Sequence, residues 1–275
     1  TFIAPGAPPP KDDEDPNLRV VLPSISTMRN VDEVVETCPC SEFETLKALG
    51  GLIAAAHVRL ATVADFKAIA AQATANGDSA TALKAYRLAV GNAPSDHAVR
   101  TTLAEMLLAA GQNADAAEQY HIVGTQLSEG KDFDAAIRAF GDALKAVPEH
   151  LGARADLLRC YIRKKDQAKT LELAVPVLEE LGKANDLTNA REIGESLVVS
   201  FPKQWEFAVR LANICSDLHD HEASIVHFTK ALDSISAGAR SDVAAIYEKI
   251  LLIDPTRTDV KMIELNEAFA VQGLA

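Results

Sequence analysis

Cys215, His219 and His221, with His227 further along, are the residues whose types and spacing come nearest to a chemical site. Cys215 and His219 fall four apart, on one face of a helix, and a His-x-His pair can chelate a transition metal. Cys215, however, shares its face with Leu211 and Ala212, where burial is expected. His219-Asp220-His221 fills a turn between two helices, a place where polar residues are ordinary. Metal is therefore the weaker expectation here, and no cofactor is expected. Cys38-Pro39-Cys40 offers a second pair of thiols, but cysteines one residue apart form a strained disulfide and no second pair lies near in sequence. A turn between two helices is the expectation for it.

Other chemistry needs patterns that the chain lacks. There is no Gly-rich phosphate loop leading to Lys-Ser or Lys-Thr, no dinucleotide fingerprint, no nucleophile elbow and no two-histidine metalloprotease helix. Gly182-Lys183 has a helical context and reads as a helix end. The carboxylates are interspersed with Lys and Arg, as on any solvated helix face. The expectation is a protein that is not an enzyme.

The elements that would carry these residues are helices. The chain has 275 residues, 48% apolar and 24% charged, with aromatics at only 5%. The abundance of alanine, the best helix former and a residue that permits close helix approach, favours packed helices over sheets. No apolar run is long enough to span a bilayer. A net charge of -12 opposes nucleic acid or an anionic membrane as partner. Four cysteines in a chain of this length do not make a disulfide framework, which points to a reducing, cytoplasmic setting. The chain begins Thr-Phe-Ile-Ala without Met, as expected of a processed or partial chain.

Three segments follow. Residues 1–19 hold Ala-Pro-Gly-Ala-Pro-Pro-Pro and the acidic run Asp12 to Asp15, a disordered tether by composition. Residues 20–62 open a helix at Asn30, capped with Glu33 as a capping box, and break it at Cys38-Pro39-Cys40. Ser41 then caps the helix 42–56, with Phe43, Leu46, Leu49 and Ile53 at helical spacing, and a β-prone stretch, residues 57–60, follows. Helix, tight turn, helix, strand is the order of a winged helix. Its basic residues are Arg29, Lys47 and Arg59 against five acidic ones, the wrong sign for DNA.

From residue 63 to the end the pattern is helical hairpins. Gly77 opens a turn, and Ala82, Tyr86, Ala89 and Pro94 follow at offsets 5, 9, 12 and 17. Small residues let helices cross closely, Tyr86 fills the space between hairpins, and Pro94 stops the helix. The signature returns as Ala136, Phe140, Ala143 and Pro148, then as Ala190, Gly194, Leu197 and Pro202, then as Val243, Tyr247, Ile250 and Pro255. The prolines are 54, 54 and 53 residues apart. Each interval holds three predicted helices, at 97–110, 114–128 and 133–147, at 151–164, 167–182 and 186–200, and at 204–218, 221–235 and 239–253. A cap follows at 258–271. The middle helix of each unit is expected to pack on both sides.

These residues resemble the tetratricopeptide repeat, whose small, aromatic, small, proline positions share the spacing. The resemblance implies an all-α fold, a right-handed superhelix of about twelve helices, and a scaffold or adaptor that binds a protein partner. By the family's geometry the first helix of each hairpin lines the concave face. It would present Lys67, Ala71 and Thr74, then Thr101, Glu105 and Leu108, then Ala155, Arg159 and Ile162, then Val209, Asn213 and Ser216. The Lys and Asn set that clamps a C-terminal carboxylate in chaperone-binding members is not reproduced. A basic cluster, Arg154, Arg159, Arg163, Lys164 and Lys165, suits an acidic or extended peptide, while a solvated face accounts for it equally well. Residues 30–36, 41–49 and 53–60 resemble the helical end of bacterial PATAN domains, which implies a place in signalling, motility or assembly. Two other roles stay open: a structural subunit of a larger machine, with more apolar surface, and a DNA-responsive regulator using the winged helix.

Overall fold

The structure is a computed structural model, and it describes residues 3–5, 20–25, 29–235 and 240–257. The described residues are all-α apart from one short strand pair, with the tetratricopeptide-like hairpins that the periodicity predicts. The expected cap at 258–271 and most of the expected tether lie outside the described residues.

The segment before residue 63 contains β1 (Ile3–Pro5), α1 (Val31–Thr37), α2 (Glu42–Ala54) and β2 (Val58–Leu60). Both predicted capping boxes form. Asn30 and Ser41 accept from the N–H groups of Glu33 and Glu44, whose carboxylates reach back to the cap N–H groups. β1 pairs antiparallel with β2, Ile3 opposite Leu60, so the first residues of the predicted tether belong to a sheet. The reason is Ile3, which is buried with Val21, Val34, Leu49 and Val58 in one core. A second correction concerns α2. Its buried face is Thr45, Ala48, Leu49 and Leu52, whereas Phe43, Leu46 and Ile53 face out, Phe43 at 75% exposure. This helix is apolar on two faces, and the one with Ala48, Leu49 and Leu52 joins the core of Ile3, Val21, Val34 and Val58.

The helical array runs α3 (Val63–Ala75), α4 (Ser79–Asn92), α5 (His97–Ala109), α6 (Asn113–Glu129), α7 (Phe133–Ala146), α8 (Leu151–Lys164), α9 (Gln167–Lys183), α10 (Leu187–Ser200), α11 (Trp205–Asp217), α12 (His221–Ser234) and α13 (Arg240–Ile253). The chain divides into two compact units, Thr1–Gly130 with Asp142–Pro148, and Lys131–Gly141 with Glu149–Ala275. In the first, α3 pairs with α4, α4 with α5, and α5 with α6. Phe66, Ala89, Val99, Leu103 and Leu107 fill its core. In the second, α9 packs on both α8 and α10, which also touch each other, and α12 packs on both α11 and α13. The two-sided middle helix is thus present there. Its core runs through Leu158, Val177, Leu181, Ile193 and Leu197 and continues as Ala212, Phe228 and Ile250.

One turn recurs through the array. Gly77, Gly111, Lys131, Lys165, Asn185 and His219 all adopt left-handed backbone, with φ between 57° and 74°. At Gly77, Gly111, Lys165, Asn185 and His219 the residue that follows sends its N–H back to the carbonyl five residues earlier, as Asp78 to Ala73, Asp166 to Tyr161, Asp186 to Leu181 and Asp220 to Cys215, at 2.8–3.0 Å. The same aspartates cap the next helix through their carboxylates. This closes the carbonyl end of one helix and the N–H end of the next within three residues. The left-handed positions are 34, 20, 34, 20 and 34 residues apart. The 54-residue period is therefore a standard 34-residue step plus one 20-residue step. The shorter step holds α6 or α9, each 17 residues long where the other array helices have 13 or 14.

Candidate functional site

The register of 54 puts Glu105, Arg159 and Asn213 at one position of successive units, on α5, α8 and α11. In the α8 unit this position ties two helices together. Arg159 reaches from α8 to Asp156 at 2.8 Å and across to Glu192 at 3.5 Å on α10, and also donates to Asn189. In the next unit the counterparts of Arg159, Asn189 and Glu192 are Asn213, Val243 and Ile246. In place of the arginine pairs, Lys249 of α13 meets the Asn213 amide, and the wall beside it is apolar. A groove of about 340 Å³ opens between α11 and α13, lined by Trp205, Val209, Ala245 and Ile246 with Glu206, Arg210, Asn213, Asp242 and Lys249 around them.

The rim is held in place from behind. Lys249 Nζ donates to Asn213 Oδ1 at 2.8 Å and lies 5.9 Å from the centre of the Phe228 ring, and Arg210 pairs with Glu179 of α9 at 3.3 Å. The result is an apolar floor with polar groups of both signs at its edge, a form suited to one bulky side chain of a docked segment. Two predicted concave-face residues, Val209 and Asn213, line it. Trp205 and the α13 residues carried no sequence signal beyond helical periodicity.

The other predicted site residues do not converge on this groove. Lys67 pairs with Asp96 at 3.7 Å, and the Thr74 hydroxyl donates to the Ala70 carbonyl at 2.8 Å. On α5, Thr101 is half-buried and Glu105 exposed. Arg163 stands 5.8 Å over the Phe133 ring and borders a separate depression of about 490 Å³ with Ile162, Glu192, Glu195, Ser196 and Val199. The basic cluster is taken up internally: Arg154 pairs with Glu180, Arg159 with Asp156 and Glu192, and Lys164 with Asp134. Lys165 forms a left-handed turn. These pairs engage Arg154, Arg159 and Lys164 within the chain, as a face with compensating carboxylates would.

The candidate metal set does not assemble among the described residues. Cys215 is fully buried, and its thiol is pushed up by that burial, against the lowering effect of Arg191. His219 is the left-handed turn residue and His221 the exposed first residue of α12, their rings 6.3 Å apart. His227, half-buried on α12, is held below the usual imidazole range by desolvation and by Lys230, and its Nδ1 has no hydrogen-bond partner. The exposed face of α2 carries Phe43, Leu46 and Ile53 beside Glu42 and Glu44, so this face has no basic stripe to offer a phosphate backbone. No helix of the described residues is long and apolar enough to cross a membrane.

Comparison with known proteins places residues 125–174 within the tetratricopeptide repeat family model. No curated protein sequence matches. Among solved structures, the chain is similar to MamA residues 41 to the end from Desulfovibrio magneticus, with 16% identity over 62% of this chain and 94% of that one and a TM-score of 0.22. A thermophilic tetratricopeptide protein of Thermus thermophilus shows 16% identity over 70% and 100%, with a TM-score of 0.25. PilF of Pseudomonas aeruginosa shows 13% over 74% and 97%, with a TM-score of 0.21. At these scores no feature of those proteins is transferred to this chain.

Proposed function

We propose that this chain is a non-catalytic protein-interaction scaffold, and that a protein partner docks by inserting an apolar side chain into the groove between α11 and α13. The observation that carries this is the replacement of Arg159, Asn189 and Glu192 by Asn213, Val243 and Ile246 at the same register, beside an apolar floor between α11 and α13. The tetratricopeptide match at residues 125–174 supports the same class of role. A bacterial signalling, motility or assembly adaptor is the setting that the PATAN resemblance implies. Asn213→Arg and Ala245→Trp each fill the groove without altering the buried core. Partner capture should fall at least tenfold in both variants while their thermal midpoints stay at the wild-type value. Undiminished capture would remove the groove from the proposal.

One observation favours the structural-subunit role. Of the nine large apolar side chains that are exposed among the described residues, Val20, Phe43, Leu46, Ile53 and Leu60 fall between residues 20 and 60. Surface of this kind is typical of a face covered in an assembly. If that role holds, the isolated chain should self-associate, and Phe43→Ser with Ile53→Ser should restore a monomer by light scattering.

A further inference from the structure

Arg100 on α5 is only 8% exposed, yet it carries a full charge into the first unit. Its Nη1 donates to Gln119 Oε1 at 2.7 Å and its Nη2 to the Pro94 carbonyl at 3.0 Å, while the buried Nε has no partner. Both acceptors are neutral, and among the described residues no carboxylate pairs with this cation. A buried charge without a counter-charge is costly to keep. The next unit shows what is missing. At the register of 54, Arg100 and Gln126 correspond to Arg154 on α8 and Glu180 on α9, and there the arginine and the glutamate form an ion pair. Gln126 keeps the position without the charge. Its Nε2 donates to the same Pro94 carbonyl at 3.1 Å, which sets it beside Arg100, and its Oε1 is buried without a partner.

This guanidinium lines a cavity of about 380 Å³ between α4, α5 and α6. Val90 of α4 with Leu103 and Leu107 of α5 gives the cavity an apolar side. Arg87 also lines it, but Asp115 meets that charge at 3.6 Å. We propose that this cavity binds a single carboxylate on a short apolar stem, with Arg100 supplying the counter-charge for which Gln126 offers no partner. The carboxylate accepts charge-assisted hydrogen bonds from the guanidinium, and the stem packs against the apolar side. A doubly charged phosphate suits the cavity less, because Asp115 and Glu118 stand on the same wall and repel a second negative charge. Two sources carry the required chemistry: a free aliphatic acid, and the glutamate side chain of a docked segment.

The test uses the full chain at matched ionic strength, with thermal midpoint and calorimetric titration as readouts. Pentanoate is the probe for the free acid, and the tripeptide acetyl-Ala-Glu-Ala-amide, which has no terminal charge, is the probe for the side chain. Pentanamide and the corresponding glutamine peptide are the neutral controls. At least one acid should raise the midpoint saturably, and its neutral analogue should not. Tighter binding of pentanoate marks a free acid as the ligand, and tighter binding of the peptide marks a docked segment. Arg100→Met should weaken binding at least tenfold. Gln126→Glu should do the same while raising the midpoint of the unliganded chain, because it restores the pair that Arg154 and Glu180 make. Failure of both acids to bind wild type, equal binding of a neutral analogue, or undiminished binding in either variant would overturn the proposal. Gln126→Glu still decides the matter if Arg100→Met does not fold.

Discussion

Gly194 on α10 lies so close to Leu211 on α11 that a Cβ at Gly194 would sit 3.0 Å from Leu211 Cδ1. The register of 54 places Gly194 where Tyr86 and Phe140 stand in the earlier units. No aromatic stands at this register here, and the fully buried Leu211 side chain packs against Gly194. Restoring the aromatic should therefore harm the protein. Gly194→Phe should lower unfolding free energy by about 1–3 kcal/mol or more through overpacking, and Leu211→Ala by about 2–5 kcal/mol through a cavity. Combined, they should cost clearly less than the sum in a urea double-mutant cycle. Strict additivity would mean that the two side chains do not share one space.

The recurring turn makes its own prediction. Gly77 and Lys165 hold the same left-handed backbone, φ 74° and 57°, a region that is strained for a residue with a Cβ. Gly77→Ala should cost about 1 kcal/mol, and Lys165→Gly should stabilise by a few tenths to about 1 kcal/mol, strain relief being partly offset by the freer unfolded chain. Opposite shifts in thermal midpoint are the expected result.

Arg59 of β2 joins the N-terminal segment to the array through Asp65 at the start of α3, with two bonds of 2.6 Å. The Arg59 guanidinium, helped by the N–H and hydroxyl of Thr62, holds the Asp65 carboxyl well below the usual carboxylate range, against the opposing effect of burial. A carboxyl depressed in the folded state adds stability that is complete above the unfolded value of about 4 and is lost as pH falls toward the folded one. Asp65→Asn removes this cap and pair. It should cost about 0.5–2 kcal/mol at pH 7, and the difference from wild type should shrink as pH drops below about 4, read by denaturation at both pH values.

Pro176 sits inside α9, exposed, with no N–H to offer the Glu172 carbonyl. Pro176→Ala supplies the missing bond in a helix packed on two sides, and should raise stability by about 1–3 kcal/mol. A fall in thermal midpoint would indicate that the neighbours of α9 are shaped to a bend there.

Much of the array was legible because its signals are local. Pro94, Pro148, Pro202 and Pro255 mark helix ends by backbone chemistry alone, and Asn30 with Glu33 and Ser41 with Glu44 are caps that any sequence context would form. The 34 and 20 subdivision was hidden because four of its six turns use Lys, Asn or His where Gly is the usual sign. On α2 the two apolar faces left the choice of buried face to packing against Ile3, some forty residues away in sequence. The site was harder still. Val209 and Asn213 follow from the family's geometry, but whether a groove is open depends on ion pairs between residues about thirty apart, such as Arg159 with Glu192. Arg159 and Asn213 share a register position and yet differ, one pairing with Asp156 and Glu192 and one accepting from Lys249 beside an apolar floor.

The most direct measurement of the scaffold account is site-specific photocrosslinking in native lysate, with the crosslinker at Val209 in the groove and, as control, at the exposed Leu171 on α9. One predominant protein should crosslink from Val209, be missing from Leu171, and disappear when Ala245→Trp is added. No product from Val209, or the same products from both positions, would contradict the claim that this groove is where the chain holds its partner.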